Sequence, residues 1–269
     1  MFALKTSTLP SAAALAAALE EALAELFELP VDGTPVRVRG DFPDLDGLDI
    51  ELDQASWRLE NPPPPRGIGE IIPEFTAKSF TLKGEPIRME DAYLTVGLNA
   101  LDVTFGFQQS EQGKPLLVLA GGEGSVRVSI SRQDIERLLL TGAKRAAQQQ
   151  GVTVEETGLE LVQETERSAR VAVRIRAGRK ILVSKVTATL EIGGHLAIDE
   201  GLNATVSGLS CKGAGPLSAV LSTIVQQQLR KFEGKRISLT GLSLGAVRLH
   251  DLSVVAGNSL EVEARFGSV

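Results

Sequence analysis

The stretch VAVRIRAGRKILVSKVTATLEI, residues 171–192, decides the fold. Val171, Val173 and Ile175 fall on one side of an extended chain, and Arg170, Arg174 and Arg176 on the other. Beyond Lys185 the period resumes in a shifted phase, with Val186, Ala188, Leu190 and Ile192 as the apolar row. Period two with one apolar and one wet side is the pattern of an antiparallel sheet covered on one face. The phase change near Lys185 predicts a bulge in a long strand.

The same alternation spreads outward from this stretch. Leu48, Ile50 and Leu52 alternate with Asp49, Glu51 and Asp53. Val126, Val128 and Ile130 alternate with Arg127 and Ser129, and Leu260, Val262, Ala264 and Phe266 with Glu261, Glu263 and Arg265. A second phase change falls at His250-Asp251 and predicts a second bulge.

Three segments carry helical spacing instead. Residues 11–28 place Leu15, Leu19, Ala22, Leu23 and Leu26 on one face, between Pro10-Ser11 and Pro30. Residues 132–150 carry Ile135, Leu138, Leu139, Ala143 and Ala146, with Ser131 and Asp134 as a capping box whose acid is one carbon short. Residues 216–232 open on Gly215-Pro216 and carry Leu217, Val220, Leu221, Ile224, Val225, Leu229 and Phe232.

A long, one-sided sheet with few helices must curl around something apolar, and the helices are the filling available. The expected fold is therefore α+β, a long curved antiparallel sheet wrapped around amphipathic helices. It forms a single elongated domain over 1–269, divisible into sub-units 1–125 and 126–269. A weak repeat of helix followed by alternating strands begins after residues 28, 150 and 232. The Pro run at 61–67 is an extended spacer.

Gly241-Leu242-Ser243-Leu244-Gly245 matches the nucleophile pattern of a serine hydrolase, and His250 follows it. A nucleophile elbow needs a helix after the serine, yet Ala246–His250 alternate like a strand. The glycines are read as a bend between strands, and a hydrolase using Ser243 and His250 is the least favoured function. Gly121-Gly122-Glu123-Gly124 leads into a strand, where a phosphate loop would open onto a helix. Gly213–Ser218 does open onto a helix but lacks the Lys-Ser/Thr tail of a P-loop.

Asp44, Asp46, Asp49, Glu51 and Asp53 do not fit a calcium loop and are read as a solvated strand face. Trp57 is read as core or rim. Arg170, Arg174 and Arg176, with Lys180 and Lys185 on the neighbouring strand, form a basic stripe that a solvated sheet face or an anionic membrane surface explains.

The chain has 269 residues, of which 43% are hydrophobic and 23% charged, the balance of a globular protein. A net charge of −6 and 4% aromatics argue against nucleic acid as a partner. Cys211 is the sole cysteine, so no internal disulfide forms, and His195 and His250 are the only histidines. No metal and no cofactor is expected. Glu20, Glu21 and Glu25 interrupt the apolar run at 12–27, which lacks a basic start and a cleavage site. The expected location is the cytoplasm or the periphery of the inner membrane, with the periplasm left open.

From residue 126 to 266 the layout resembles the LmeA-like family of phospholipid-binding bacterial proteins, a domain of unknown function. The segments that carry the resemblance are VRVSISRQDIERLLL (126–140), VAVRIRAGRKILVSKVTATLEI (171–192), LSAVLSTIVQQQLRKFE (217–233) and GAVRLHDLSVVAGNSLEVEARF (245–266). LDGLDIELDQASWRLE (45–60) is compatible with it. The family is similar to the tubular lipid-binding (TULIP-like) superfamily, which implies a curved sheet around a helix with an apolar groove for acyl chains. It implies no catalytic residues. The function expected is non-enzymatic binding, or transport, of a lipid or other apolar small molecule, with peripheral membrane contact. The expected lining is Leu138, Leu139, Val173, Val186, Leu221, Ile224 and Val225. The alternative is a scaffold or protein-interaction domain with a filled core and no ligand.

Overall fold

The computed structural model describes residues 1–31, 33–58, 67–148, 152–181, 184–216, 218–231, 233–238 and 247–267. The spacer at 61–66 and the bend at 241–245 lie outside them. The chain divides into two compact units. Unit 1 comprises Met1–Ser129, Thr240–Leu252 and Glu263–Val269, and unit 2 comprises Ile130–Leu239 and Ser253–Val262. The division is discontinuous because the last two strands contribute residues to both units. Strand alternation cannot report that.

In chain order, unit 1 is built from β1 (Phe2–Ala3), α1 (Ala12–Leu26), β2 (Phe27–Glu28), β3 (Val36–Asp41), β4 (Asp44–Glu51), β5 (Ser56–Trp57), β6 (Gly67–Met89), β7 (Ala92–Ser110) and β8 (Pro115–Ser131). Unit 2 adds α2 (Arg132–Gln148), β9 (Thr153–Thr165), β10 (Ser168–Ile181), β11 (Ser184–Ile198), β12 (Asn203–Ala214), α3 (Ser218–Leu229) and β13 (Arg236–Ser238). Strands β14 (Arg248–Ala256) and β15 (Ser259–Gly267) close the chain's fold.

The sheet of unit 1 runs β14-β15-β8-β7-β6-β4-β3, and it is mixed rather than antiparallel. β4 and β5 both pair parallel with β6. Side chains alternate identically in parallel and antiparallel strands, so the sequence pattern is blind to this difference. The expected length and bending are present. β6 and β7 hold 23 and 19 residues, against about 5–6 in a usual strand. Their pairing shifts register at Ile68/Ile72, Pro73/Phe75 and Gly84/Ile87.

The parallel register aligns Asp44 with Thr76, Asp49 with Thr81 and Glu51 with Lys83. It turns the acidic run of β4 into a hydrogen-bonded ladder on the wet face. Thr76 Oγ1 donates to Asp44 at 3.0 Å, Lys78 Nζ to Asp46 at 2.7 Å and Thr81 Oγ1 to Asp49 at 2.5 Å. The Lys78 ammonium holds the Asp46 carboxyl below its ordinary range, and Asp46 raises Lys78 in return. Asp53 accepts from the backbone N–H of Glu85 at 2.6 Å and lies 3.5 Å from Lys83 Nζ.

The core of unit 1 receives Leu15, Leu19, Ala22 and Leu23 from α1, whose start is capped by Ser11 Oγ accepting from the Ala14 N–H at 3.2 Å. Phe75 stacks on Phe105 at 4.9 Å, and Phe80 meets Phe105 edge-on at 5.2 Å. Gly124 lies inside β8, where a Cβ would stand 2.3 Å from the Asn99 carbonyl oxygen and 2.7 Å from the Phe266 ring. The glycine run is thus a close strand approach. Trp57 is a rim residue, 40% exposed and tilted against Phe27.

The sheet of unit 2 runs β13-β12-β11-β10-β9, with every neighbouring pair antiparallel. Its helix α2 starts as the short capping box predicts: the Asp134 N–H donates to Ser131 Oγ at 3.0 Å, and the Ser131 hydroxyl donates to the Asp134 carboxylate. β10 ends at Ile181 and β11 starts at Ser184, so the phase change at Lys185 is a chain reversal and not a bulge. Lys180 consequently sits on β10 itself, paired with Lys185 of β11. At His250-Asp251, β14 continues as one strand while the buried positions move from Val247 to Leu252, Val254 and Ala256. Among the described residues, no helix is long and apolar enough to cross a membrane.

Candidate functional site

The register of unit 2 sorts its side chains into two faces. Val173 pairs with Leu159 and Ile192, and Ile175 pairs with Thr157 and Leu190. Cys211 follows opposite Ile192 on β12. On the other face Arg174 pairs with Gly158 and Glu191, Arg176 with Glu156 and Thr189, and Ala172 with Glu160 and Gly193. The first face is apolar and the second charged, as the alternation in residues 171–192 requires.

Helix α2 lies against part of the apolar face. Leu159, Leu161, Ala169 and Ala256 are buried together, with Ile135, Leu139, Val171, Val173 and Leu260 packed against them. Leu139 and Val173, both expected lining residues, therefore pack on one and the same cluster. Leu138 on α2 and Val225 on α3 are half-buried and stand outside that cluster among the described residues. Val186 is half-buried on the same side of β11 as Ala188 and Leu190. Leu221 and Ile224 lie on α3, with side chains outside the described set. The apolar face is thus unevenly covered: Leu159, Leu161, Ala188 and Leu190 are buried, while Val171, Val173, Ile175 and Ile192 remain half-buried.

The β9 edge, and the part of β12 beyond its short pairing with β13 at Asn203–Thr205, are blunted by contacts with the helical segments. At β9, the Leu159 N–H donates to Glu136 Oε1 at 2.9 Å, and Thr157 Oγ1 donates to the Glu136 carbonyl at 3.0 Å. At β12, a carboxylate clasps two successive amides: Gly208 N–H donates to Glu233 Oε1 at 2.9 Å and Leu209 N–H to Glu233 Oε2 at 2.7 Å. Gly208 has φ +63, which turns both N–H groups toward one anion, as in a nest. Gln226 Nε2 of α3 donates to the Cys211 carbonyl at 3.2 Å. A Cβ on Gly213 would stand 2.7 Å from Ser218 Cβ, so α3 packs on the Cys211–Gly213 side of β12. Cys211 is buried, and burial raises its thiol pKa. Sequence reading missed Glu136, Glu233 and Gln226, since a polar residue on a helix or in the turn after it gives no sign of facing a strand.

The charged face holds open clefts of about 760 Å³ and 370 Å³ that share Glu160, Ala172 and Glu191. The expected basic stripe is interleaved with acids here, because register places Glu156 and Glu191 beside Arg176 and Arg174. Arg176 also lies 3.5 Å from Glu155, and His195 Nδ1 lies 3.1 Å from Glu164 Oε2. The turn after β11 is fixed by Asp199. Its carboxylate accepts from the backbone N–H of Asn203 at 2.9 Å, from the Asn203 side-chain amide and from Arg236. These donors lower its pKa to about 2.

Ser243 lies outside the described residues, and His250 is exposed on β14. His195 and His250 belong to different units. Among the described residues no group of three or more His, Cys, Asp or Glu is placed to hold a metal ion. Comparison with known proteins finds no matching family model, no matching curated protein and no matching solved structure.

Proposed function

We propose that the chain binds, and transfers, a lipid or other apolar small molecule without catalysis, on the apolar face of the β9–β12 sheet beneath α2 and α3. The supporting observation is the row Val171, Val173, Ile175 and Ile192, which stays half-buried although two helices pack on that side. Each methylene withdrawn from water there contributes about 0.8 kcal/mol, so one acyl chain gives useful affinity without polar recognition. An all-antiparallel sheet with amphipathic helices on one side also supports the LmeA-like, TULIP-like reading. The proposed location is the cytoplasm or the surface of the inner membrane.

A scaffold role without ligand is the second reading, favoured for unit 1 by the Phe75–Phe105–Phe80 packing in its interior. Native mass spectrometry of the purified full chain tests the proposal. A co-purifying lipid is expected, and after delipidation a parinaric-acid probe rebinds. Val173→Thr keeps the side-chain shape and adds a hydroxyl to the apolar face, and it weakens the probe by about tenfold. An empty protein that takes up no probe, or an unchanged affinity in Val173→Thr, overturns the proposal.

A further inference from the structure

We propose that α3 is a latched cover over the β11–β12 end of the apolar face, and that the Glu233 carboxylate is its latch. This inference rests on the lipid-binding reading above and adds how access to that face is controlled.

Three observations converge on it. Helix α3 lies over the side of β12 that carries Cys211 and Gly213, the side continuous with Ile192 and Val173. It is tied down at two points. Gln226, within the helix, holds the Cys211 carbonyl. Glu233, in the turn after the helix, closes on the amides of Gly208 and Leu209. The Gly234 N–H adds a bond to the Val206 carbonyl at 2.9 Å. The segment is bracketed by Gly215 at φ +100 and Gly234 at φ +69, positions where the backbone takes conformations other residues resist.

The clasp is the stronger tie, because a carboxylate accepting two backbone N–H bonds is charge-assisted on both. It is also exposed, so opening needs no burial of charge: the carboxylate and the two amides pass from each other to water. Val225 and Leu229, the half-buried apolar residues of α3, make the opposite demand. Lifting the helix exposes them further until an apolar guest or a membrane surface replaces their present cover. A latch of this kind holds the site shut in water and lets a hydrophobic partner compete for the helix.

Cys211 reports the opening without any engineering. It is the sole cysteine, it is buried, and its own carbonyl is held by α3. N-ethylmaleimide labelling of the native full chain, followed by intact mass, measures how often the cover lifts. In Glu233→Ala labelling accelerates by about tenfold or more, and amide exchange at Gly208 and Leu209 accelerates with it. Exchange at the paired amides of β10 stays at the wild-type rate, which separates lifting of α3 from unfolding of the unit. Glu233→Gln keeps the side-chain shape with one accepting oxygen, gives an intermediate rate, and serves if the alanine variant fails to fold.

Labelling and Gly208/Leu209 exchange at wild-type rates in both variants overturn the latch. So does acceleration that extends equally to β10. The parinaric-acid probe separates this from the lipid reading. Faster labelling with faster probe uptake supports both, whereas faster labelling of a protein that binds no probe keeps the latch and removes the ligand.

Discussion

Asp199 shows how much a single carboxylate does in this fold. Folding lowers its pKa from 3.8 to about 2, through the backbone N–H of Asn203 first, then the Asn203 side chain and Arg236. A depressed carboxyl pKa adds stability above the unfolded value and loses it as pH falls through the folded one. The β11–β12 turn is therefore expected to hold at pH 4 and loosen toward pH 2. In Asn203→Ala the backbone N–H remains while the side-chain donor goes, so the titration midpoint moves part of the way back toward 3.8. Carboxyl carbon NMR across the acid range checks both statements. Gly124 is the steric counterpart. With a virtual Cβ 2.3 Å from the Asn99 carbonyl, Gly124→Val forces β7 and β8 apart, and urea unfolding should show a loss of about 1–3 kcal/mol. The roles of these residues were legible to different degrees. The run Gly121–Gly124 is legible as leading into a strand, though not as the close approach to Asn99 that Gly124 makes, and nothing in the spacing of Asp199 and Arg236, or of Glu233 and Gly208, says that they meet. Those pairings depend on where strands and helices end.

Among the elements, α2 joins a legible start to a hidden role. Ser131 and Asp134 cap it as their spacing indicates. Ser131→Ala removes the acceptor for the Asp134 N–H, and a loss of about 1 kcal/mol is expected in the unfolding free energy from urea titration. The same helix sends Glu136 to the open edge of β9. Glu136→Ala leaves the Leu159 amide to water and bares a strand edge, so aggregation on prolonged incubation should rise, as light scattering would report. The apolar periodicities placed all three helices within a few residues and identified the wet and dry faces of β10 and β11. They failed where pattern carries no direction: the parallel pairing of β4 with β6, and the reversal after Ile181 that looked like a bend. For the candidate site, alternation selected Val173 and Val186, and helical spacing selected Leu138, Leu139 and Val225. Ala169 and Ala256 were invisible, since small buried side chains leave no trace in a hydrophobic pattern.

For the whole molecule, the interrupted composition of the two units makes a sharp claim. Unit 2 depends on Ser253–Val262, from which Ala256 and Leu260 enter its apolar cluster. Gln163 bonds both the Val254 carbonyl and the Ala256 N–H there, at 2.6 and 2.5 Å. A fragment of residues 130–239 therefore lacks part of its own interior. It is expected to give a collapsed two-dimensional NMR spectrum and to bind a dye for exposed apolar surface. Adding a synthetic peptide of residues 247–267 should restore dispersion, and a well-dispersed spectrum from the fragment alone would contradict the division.

That braided arrangement also sets an order of events in the cell. A growing polypeptide leaves the ribosome from its first residue onward, yet neither half can finish its interior until the stretch after residue 246 has emerged. Greasy strands laid down early wait, half-dressed, for a closing piece made later. The nascent chain is thus a natural client for chaperones, and a premature stop anywhere before β14 spoils both halves at once.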